Sequence, residues 1–468
     1  MNHKAASHLV LSLLFILSSS TSELSLPPAE QDAAYSVLET INPYVNWRDL
    51  YPDDLCISAP HGLLCDFFPS SPCNSTSSNS TCTTTSSSSS NHITELNLGS
   101  LSDYTSNPTC NFTSSNSTSL FALFSSFPFL RKLFFFNCFT FTSRSSYTAL
   151  PPNLFSLLPS TLEDLVLINN PSLSGELEMD ASSLPLKRLV ISGTAISGEI
   201  PLLPSTLQQL VLSRNSINGQ IPSSISRCTN LNILDLSYNR LTGSMPDQLT
   251  QLTNLIKLDL SFNRINGRIP DTISGLKKLE LLDLSFNQLT GGIPTGMGEM
   301  VGLKEVYLSW NRIGGQIPEI WEKIGGNLVG IGFSGLGLNG NIPASMGIYL
   351  RKLCFLALDN NLLEGPVPVQ LRELESTANE VNLEKNQLHG PVPFSADFVV
   401  RLGSKLKLGG NRGLCQVGPT GSEKKGSLEM LPECNATEVP RPVVISSGEE
   451  NGKEVLWVLV LLLGLLVV

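Results

Sequence analysis

Residues suited to chemistry are few. Downstream of residue 22 the 468-residue chain holds only three histidines, His61, His92 and His389. None stands with a serine, cysteine or carboxylate at a known catalytic spacing. Neither H-E-x-x-H nor G-x-S-x-G occurs. Carboxylates are plentiful, but nothing singles out a glycosidase pair. One stretch, Gly335-Leu336-Gly337-Leu338-Asn339-Gly340, fits the G-x-G-x-x-G dinucleotide fingerprint, with Asp359 about 20 residues on. These glycines also occupy fixed places in a longer repeat, which leaves no room for a βαβ unit, so nucleotide binding is excluded. The chain carries 30 Lys+Arg against 40 Asp+Glu, a formal charge of -10. Clustered cations, which phosphate or anionic lipid would require, are missing. The chain reads as a binder, not an enzyme, with no metal or cofactor.

Two recurring positions are the best binding candidates. One reads Arg214, Tyr238, Phe262, Phe286, Trp310. The other, three residues earlier, reads Val211, Asp235, Asp259, Asp283, Tyr307. On a folded array they line up as an aromatic stripe beside an acidic one. Aromatic side chains are good interface anchors. The plainer alternative is that L-D-L-S-[YF]-N is simply the favoured wording of the repeat.

That repeat must position both stripes. Asn215, Asn239, Asn263, Asn287 and Asn311 follow one another at steps of 24 residues. Around each lies the frame L-x-x-L-x-L-x-x-N-x-L-x-G-x-I-P, as in Leu231, Leu234, Leu236, Asn239, Leu241, Gly243, Met245 and Pro246. Upstream, Thr194 takes the Asn slot ahead of Ile196, Gly198, Ile200 and Pro201. Downstream, Leu336 takes it, and Asn361 and Asn386 restore it. Asn170 and Asn411 mark weaker units, and Ile93/Leu96/Leu98 and Leu130/Leu133/Phe135 mark the earliest strands. About twelve or thirteen repeats follow. L-x-L alternation makes a strand with one buried face. Repeats that bury a face only against their neighbours stack into a solenoid. The slot Asn turns inward and satisfies backbone groups, as a buried amide must. The expected fold is an α/β solenoid, a right-handed superhelix with a parallel sheet on its concave side.

Such an array needs capped ends. Residues 1–22 form a secretory leader, with Lys4 ahead of the apolar Leu9–Leu17 and small Ser20 and Ser22 before the cut. Residues 23–92 form the N-terminal cap, 93–411 the repeats, 412–447 a C-terminal cap and stalk, and 448–468 a hydrophobic anchor signal. Eight of ten cysteines fall near the ends, and sequential pairing is assumed: Cys56/Cys65, Cys73/Cys82, Cys110/Cys138 and Cys415/Cys434. Cys228 and Cys354 stand alone within the repeats. Sequons at Asn74, Asn79, Asn111, Asn116 and Asn435 are plausible glycan sites. Ser70–Asn91, almost wholly Ser, Thr and Asn, reads as a glycosylated insertion unable to bury a core. At the end, Ser446-Ser447-Gly448, a polar spacer and the apolar Val455–Val468 compose a GPI-anchor signal, with Ser446 and Ser447 as attachment candidates. A short transmembrane span is the alternative.

The L-x-G-x-I-P repeat, the Trp47/Cys56/Cys65 cap and the kinase-less ending resemble plant leucine-rich-repeat (LRR) receptor-like proteins. Within Pro318–Gly365, the run from Ile331 to Gly347 and then Leu353 to Asn361 resembles the Piriformospora indica-insensitive LRR proteins. The kinase-less receptor-like protein Too Many Mouths is a more distant likeness. The resemblance implies a plant-type LRR fold with disulfide caps. It implies a cell-surface glycoprotein that binds a peptide or the ectodomains of LRR receptor kinases and signals through them. An LRR inhibitor of secreted wall-degrading enzymes, such as a polygalacturonase, is the competing expectation.

Overall fold

The computed structural model describes residues 25–69, 89–100, 107–112, 117–140, 147–416 and 431–434. The leader, Cys73, Cys82, Asn74, Asn79, Asn116, Asn435, Ser446, Ser447 and the 448–468 segment lie outside the described residues.

Fourteen strands form one sheet in chain order. They are β1 (Leu63–Phe68), β2 (Ser90–Gly99), β3 (Lys132–Phe136), β4 (Asp164–Ile168), β5 (Arg188–Ser192), β6 (Gln209–Val211) and β7 (Ile233–Asp235). After them come β8 (Lys257–Asp259), β9 (Leu281–Asp283), β10 (Glu305–Tyr307), β11 (Gly330–Gly332), β12 (Phe355–Ala357), β13 (Glu380–Asn382) and β14 (Leu406–Lys407). The first pair is antiparallel; every later neighbour is parallel. The repeat dictates this. Each strand supplies an inward aliphatic residue in step with its neighbours, as Leu234, Leu258 and Leu282 do in β7, β8 and β9 and Val306 and Ile331 do in β10 and β11. All five are fully buried. The molecule is therefore a plant-type LRR solenoid, an α/β array with a parallel concave sheet and disulfide-tied ends.

The L-x-G-x-I-P tail makes the flank. Short segments such as Ala195–Gly198, Asn266–Arg268 and Leu362–Pro366 pair in parallel as smaller sheets. The frame glycine is required there: Gly243 has φ +75°, and a Cβ on it would lie 2.7 Å from Gln220 Cδ. The frame proline then opens one 3₁₀ turn on the convex side, as Pro246 does before Asp247–Gln251 and Pro270 before Asp271–Gly275. Proline suits that place because the first backbone N–H of a helical turn needs no partner.

The slot asparagines bind the layers together. Asn287 Nδ2 donates to the carbonyls of Leu260, Leu284 and Ser285 at 2.9, 3.1 and 3.2 Å. Its Oδ1 accepts the Ile265 N–H at 2.9 Å. Asn239, Asn263 and Asn311 repeat the pattern one step apart. Leu336 breaks it, offering no side-chain acceptor to Ile313. Asn361 compensates on the other side by accepting from both Leu336 and Leu338 N–H at 3.0 Å.

Both ends are closed. Helix α1 (Pro28–Ile41) buries Ala34, Leu38 and Ile41 over the first repeat. Cys56–Cys65 ties the cap strand β1, Cys110–Cys138 ties the segment after β2 to the one after β3, and Cys415–Cys434 closes the far end. Cys228 is buried and free, and burial pushes its thiol up to about 11.

Replacing Asn287 by Ala strands several buried backbone groups. It should cost about 2–4 kcal/mol, read as a lowered denaturation midpoint in circular dichroism. An unchanged midpoint would remove the asparagine ladder as the source of order.

Candidate functional site: the concave sheet and its aromatic rim

Strand register turns single residues into continuous rows. One row crosses twelve of the fourteen strands, β3 to β14: Phe134, Val166, Val190, Val211, Asp235, Asp259, Asp283, Tyr307, Gly332, Ala357, Asn382, Lys407. It is apolar over β3–β6, acidic over β7–β9 and small or polar beyond β10. Phe134, Phe136, Val166, Val190 and Val211 form a hydrophobic cluster of their own, separate from the main core. Two residues earlier, a second concave row carries alternating charge, with Lys132 paired to Glu95 at 3.0 Å and Arg188 to Asp164 at 3.6 Å.

The aromatic candidates occupy a different place. Tyr238, Phe262, Phe286 and Trp310 each sit three residues beyond a strand end, on the rim where the chain turns inward to the slot asparagine. Their φ angles are +54°, +54°, +56° and +60°, and that of Arg214 is +56°. A left-handed backbone costs a bulky residue about 1–3 kcal/mol. Asn169, Asn360 and Lys385, and Gly193, Gly335 and Gly410, turn the same corner elsewhere. The repeat imposes the conformation, because the slot amide can reach its partners only after this turn.

On the rim the rings stack face to face. Tyr238 and Phe262 centroids lie 4.0 Å apart, Phe262 and Phe286 4.2 Å, and Phe286 and Trp310 6.1 Å. The Arg214 guanidinium caps the stack 4.6 Å from the Tyr238 ring centre. The ring faces are used within the protein, and the edges face solvent: Tyr238, Phe286 and Trp310 are 40%, 41% and 47% exposed. A partner would meet a continuous aromatic edge, not open ring faces.

The acidic row has one close cation. Lys257 Nζ lies 2.8 Å from Asp235 Oδ2 and 3.8 Å from Asp259 Oδ2. Ser237 and Ser261 hydroxyls each donate to the aspartate two residues before them, at 2.7 Å. Burial, then the charges of Asp235 and Asp283, push the Asp259 carboxyl up to about 6. Burial raises Asp283 as well. For Lys257 burial pulls down, but the three aspartates outweigh it and hold the ammonium above its usual range. At the row's end Tyr307 Oη donates to Glu305 Oε2 at 3.0 Å, and burial together with Glu305 keeps the phenol from ionising.

Sequence reasoning missed three features. The apolar half of the row continues the acidic positions upstream, and extending the alignment to Phe134, Val166 and Val190 would have found it. Lys257 was visible two residues before Asp259. The third is a cap network. His92 Nδ1 lies 2.7 Å from Glu30 Oε2, and His92 Nε2 lies 2.9 Å from Ser90 Oγ. That is the connectivity of nucleophile, base and orienting acid. Its setting is structural, though. Ser90 pairs with Phe68 in a regular antiparallel ladder, not on the sharp turn that lifts a catalytic serine. Glu30, only 3% exposed, gives its other oxygen to the Ile93 N–H at 2.8 Å. The network clamps α1 onto the first parallel strand. Glu30 lies 62 residues from His92 and 63 from Ile93, so no local pattern announces the network.

Comparison with known proteins agrees with this architecture. The leucine-rich-repeat family model matches residues 205–265 and 253–313. Receptor like protein 29 of Arabidopsis thaliana is 35% identical over 177 residues, 38% of this chain and 32% of that protein. The LRR ectodomain of the membrane receptor kinase GASSHO1/SCHENGEN3 from Arabidopsis thaliana, solved in complex with CASPARIAN STRIP INTEGRITY FACTOR 2, superposes with a TM-score of 0.53. It is 30% identical over 63% of this chain and 37% of that one. A plant ice-binding protein shares the fold alone: TM-score 0.50 and 22% identity over 88% of this chain and 99% of that one. The chain thus spans about a third of the length of the first two. Its fold is that of an LRR solenoid, and its sequence is similar to plant receptor-like proteins.

The Asp259 carboxyl is held above its usual value in the fold, so folding favours its protonated form. The associated stability is present near pH 4 and lost as pH rises to about 6. Asp259→Asn should therefore leave stability near pH 4 little changed and raise it at pH 7.5 by about 1–3 kcal/mol. Thermal midpoints measured across that range test this; parallel pH profiles for both proteins would refute it.

Proposed function

We propose that this chain is a plant cell-surface receptor-like protein that recognises its partner across the concave sheet and aromatic rim. The observation carrying the proposal is the row crossing every strand from β3 to β14, apolar, then acidic, then polar, on one continuous sheet. Such a surface reads an extended partner residue by residue: charge and shape vary along it while the backbone stays constant. The partner is a peptide, the ectodomain of an LRR receptor kinase, or the two together. The likeness to an ectodomain solved with CASPARIAN STRIP INTEGRITY FACTOR 2 supports this reading, as does the likeness to Receptor like protein 29. Tyr238, Phe262, Phe286, Trp310 and Arg214 form the rim of the site in this proposal. Asp235, Asp259, Asp283 and Tyr307 form its floor.

The finer likeness to the Piriformospora indica-insensitive proteins, and more distantly to Too Many Mouths, belongs to the same proposal. It rests on the run containing Leu336. Secretion through the 1–22 leader, glycosylation at the five sequons, and attachment outside the plasma membrane through the C-terminal signal are part of the proposal as well. Among the described residues no helix is long and apolar enough to cross a membrane. Signalling would then pass through partner kinases, in development or in response to microbes.

The test is affinity capture from solubilised plant membranes and wall extracts, read by mass spectrometry. LRR receptor kinases should be recovered with the wild-type protein. Their yield should fall at least about tenfold with Phe262→Ala/Trp310→Ala, the loss expected of central aromatic anchors. Recovery of pectin-degrading enzymes without kinases would replace the receptor reading by that of an inhibitor.

A further inference from the structure

Strand β11 is unlike its neighbours. Both of its concave positions are glycine, Gly330 and Gly332, and glycine recurs at the rim as Gly335. Among the described strands no other has a bare concave face. The same repeat is the one whose slot holds Leu336.

The bare surface is occupied by two residues of the preceding repeat. A Cβ built on Gly330 would fall 2.7 Å from Tyr307 Oη, and one on Gly332 2.7 Å from Tyr307 Cδ1. The Tyr307 ring therefore lies across β11, with its centre 6.3 Å from the Phe355 ring on the far side. At the rim a Cβ on Gly335 would fall 2.8 Å from Trp310 Cε3 and 3.1 Å from Cζ3. Trp310 leans over that glycine. The widening of the ring spacing from 4.2 Å at Phe262–Phe286 to 6.1 Å at Phe286–Trp310 matches this lean. Approaches this close to backbone are open only where the neighbour lacks a side chain.

We propose that Gly330, Gly332 and Gly335 are positioning residues that seat Tyr307 and Trp310 as a wall, dividing the concave row at β11. A partner lying along β7–β10 meets an aromatic barrier there and takes its register from it. Beyond the wall the row turns to Ala357, Asn382 and Lys407, a surface of different chemistry. The inference rests on the concave face being the binding face. The seating of the rings can be tested without that premise.

Gly337 supplies the control. Its φ is +73°, close to the +64° of Gly335, yet a Cβ there meets nothing within 4 Å. Gly335→Ala and Gly337→Ala thus impose similar backbone strain, and only the first evicts Trp310. The full-length protein in detergent is examined by acrylamide quenching of tryptophan fluorescence, with Trp310→Phe marking the contribution of that one indole. The same variants are then compared for recovery of LRR receptor kinases from solubilised plant plasma membrane. Gly335→Ala should alter the quenching of Trp310 and lower recovery severalfold, and Gly337→Ala should do neither. Unchanged quenching in Gly335→Ala overturns the seating. Altered quenching with full recovery overturns the wall. No recovery by the wild-type protein overturns the binding reading and the wall with it, and the seating is still decided by quenching. Gly332→Ala, at a position of ordinary φ, applies the same comparison to Tyr307 should Gly335→Ala fail to fold.

Discussion

A buried side-chain amide that must place its hydrogen bonds once in every 24 or 25 residues governs this molecule. Asn239, Asn263, Asn287 and Asn311 each join a carbonyl of the previous layer, carbonyls of their own turn and an N–H two residues beyond the previous asparagine. Slipping one layer against the next would leave donors and acceptors unpaired in a closed interior, where each costs about 1–3 kcal/mol. Asn361, Asn386 and Asn411 stand 25 residues apart and make the same bonds, so the step can vary outside the slot while the register of the layers, and everything aligned with it, is held. Leucines stack on leucines, flanks pair with flanks, and concave positions form straight rows.

The rim follows from the same constraint. To bring the amide inward, the residue before it must turn through the left-handed region. Glycine makes that turn with least strain, yet Tyr238, Phe262, Phe286 and Trp310 make it with large side chains. Stacking at 4.0 and 4.2 Å, with Arg214 at one end, offsets part of the strain. The repeat imposes this strain at every corner, and in four consecutive repeats the corner carries an aromatic edge turned outward, on which the proposed binding rests. In the acidic row, burial and then the charges of Asp235 and Asp283 push the Asp259 carboxyl up to about 6.

Much of this was legible in the sequence, because periodicity reports which residues face inward. The frame on Asn215 to Asn311 located the strands, the flanks and the break at Leu336. What it could not give was the direction of long side chains. Placing the aromatics on the concave face was reasonable from alignment, but the turn at positive φ carries them to its rim, where they stack on one another. The cap strand β1 carries no repeat leucines and pairs antiparallel, so the frame could not place it. The Glu30–His92–Ser90 clamp joins residues far apart in the chain. Gly335 belongs to a run that matches a nucleotide fingerprint, while Gly330 and Gly332 of β11 fall outside it; what the three share is the rings they admit.

The central physical claim concerns the rungs of the asparagine ladder, and backbone hydrogen exchange reads them most directly. The N–H groups of Leu241, Ile265 and Leu289 donate to slot asparagines at 3.0, 2.9 and 2.9 Å. The equivalent N–H of Ile313 faces Leu336, which has no side-chain acceptor. Exchange followed under native conditions should show Leu241, Ile265 and Leu289 strongly protected and Ile313 markedly faster, in an otherwise continuous array. Equal protection at all four amides would contradict the claim that the slot side chains hold the layers together.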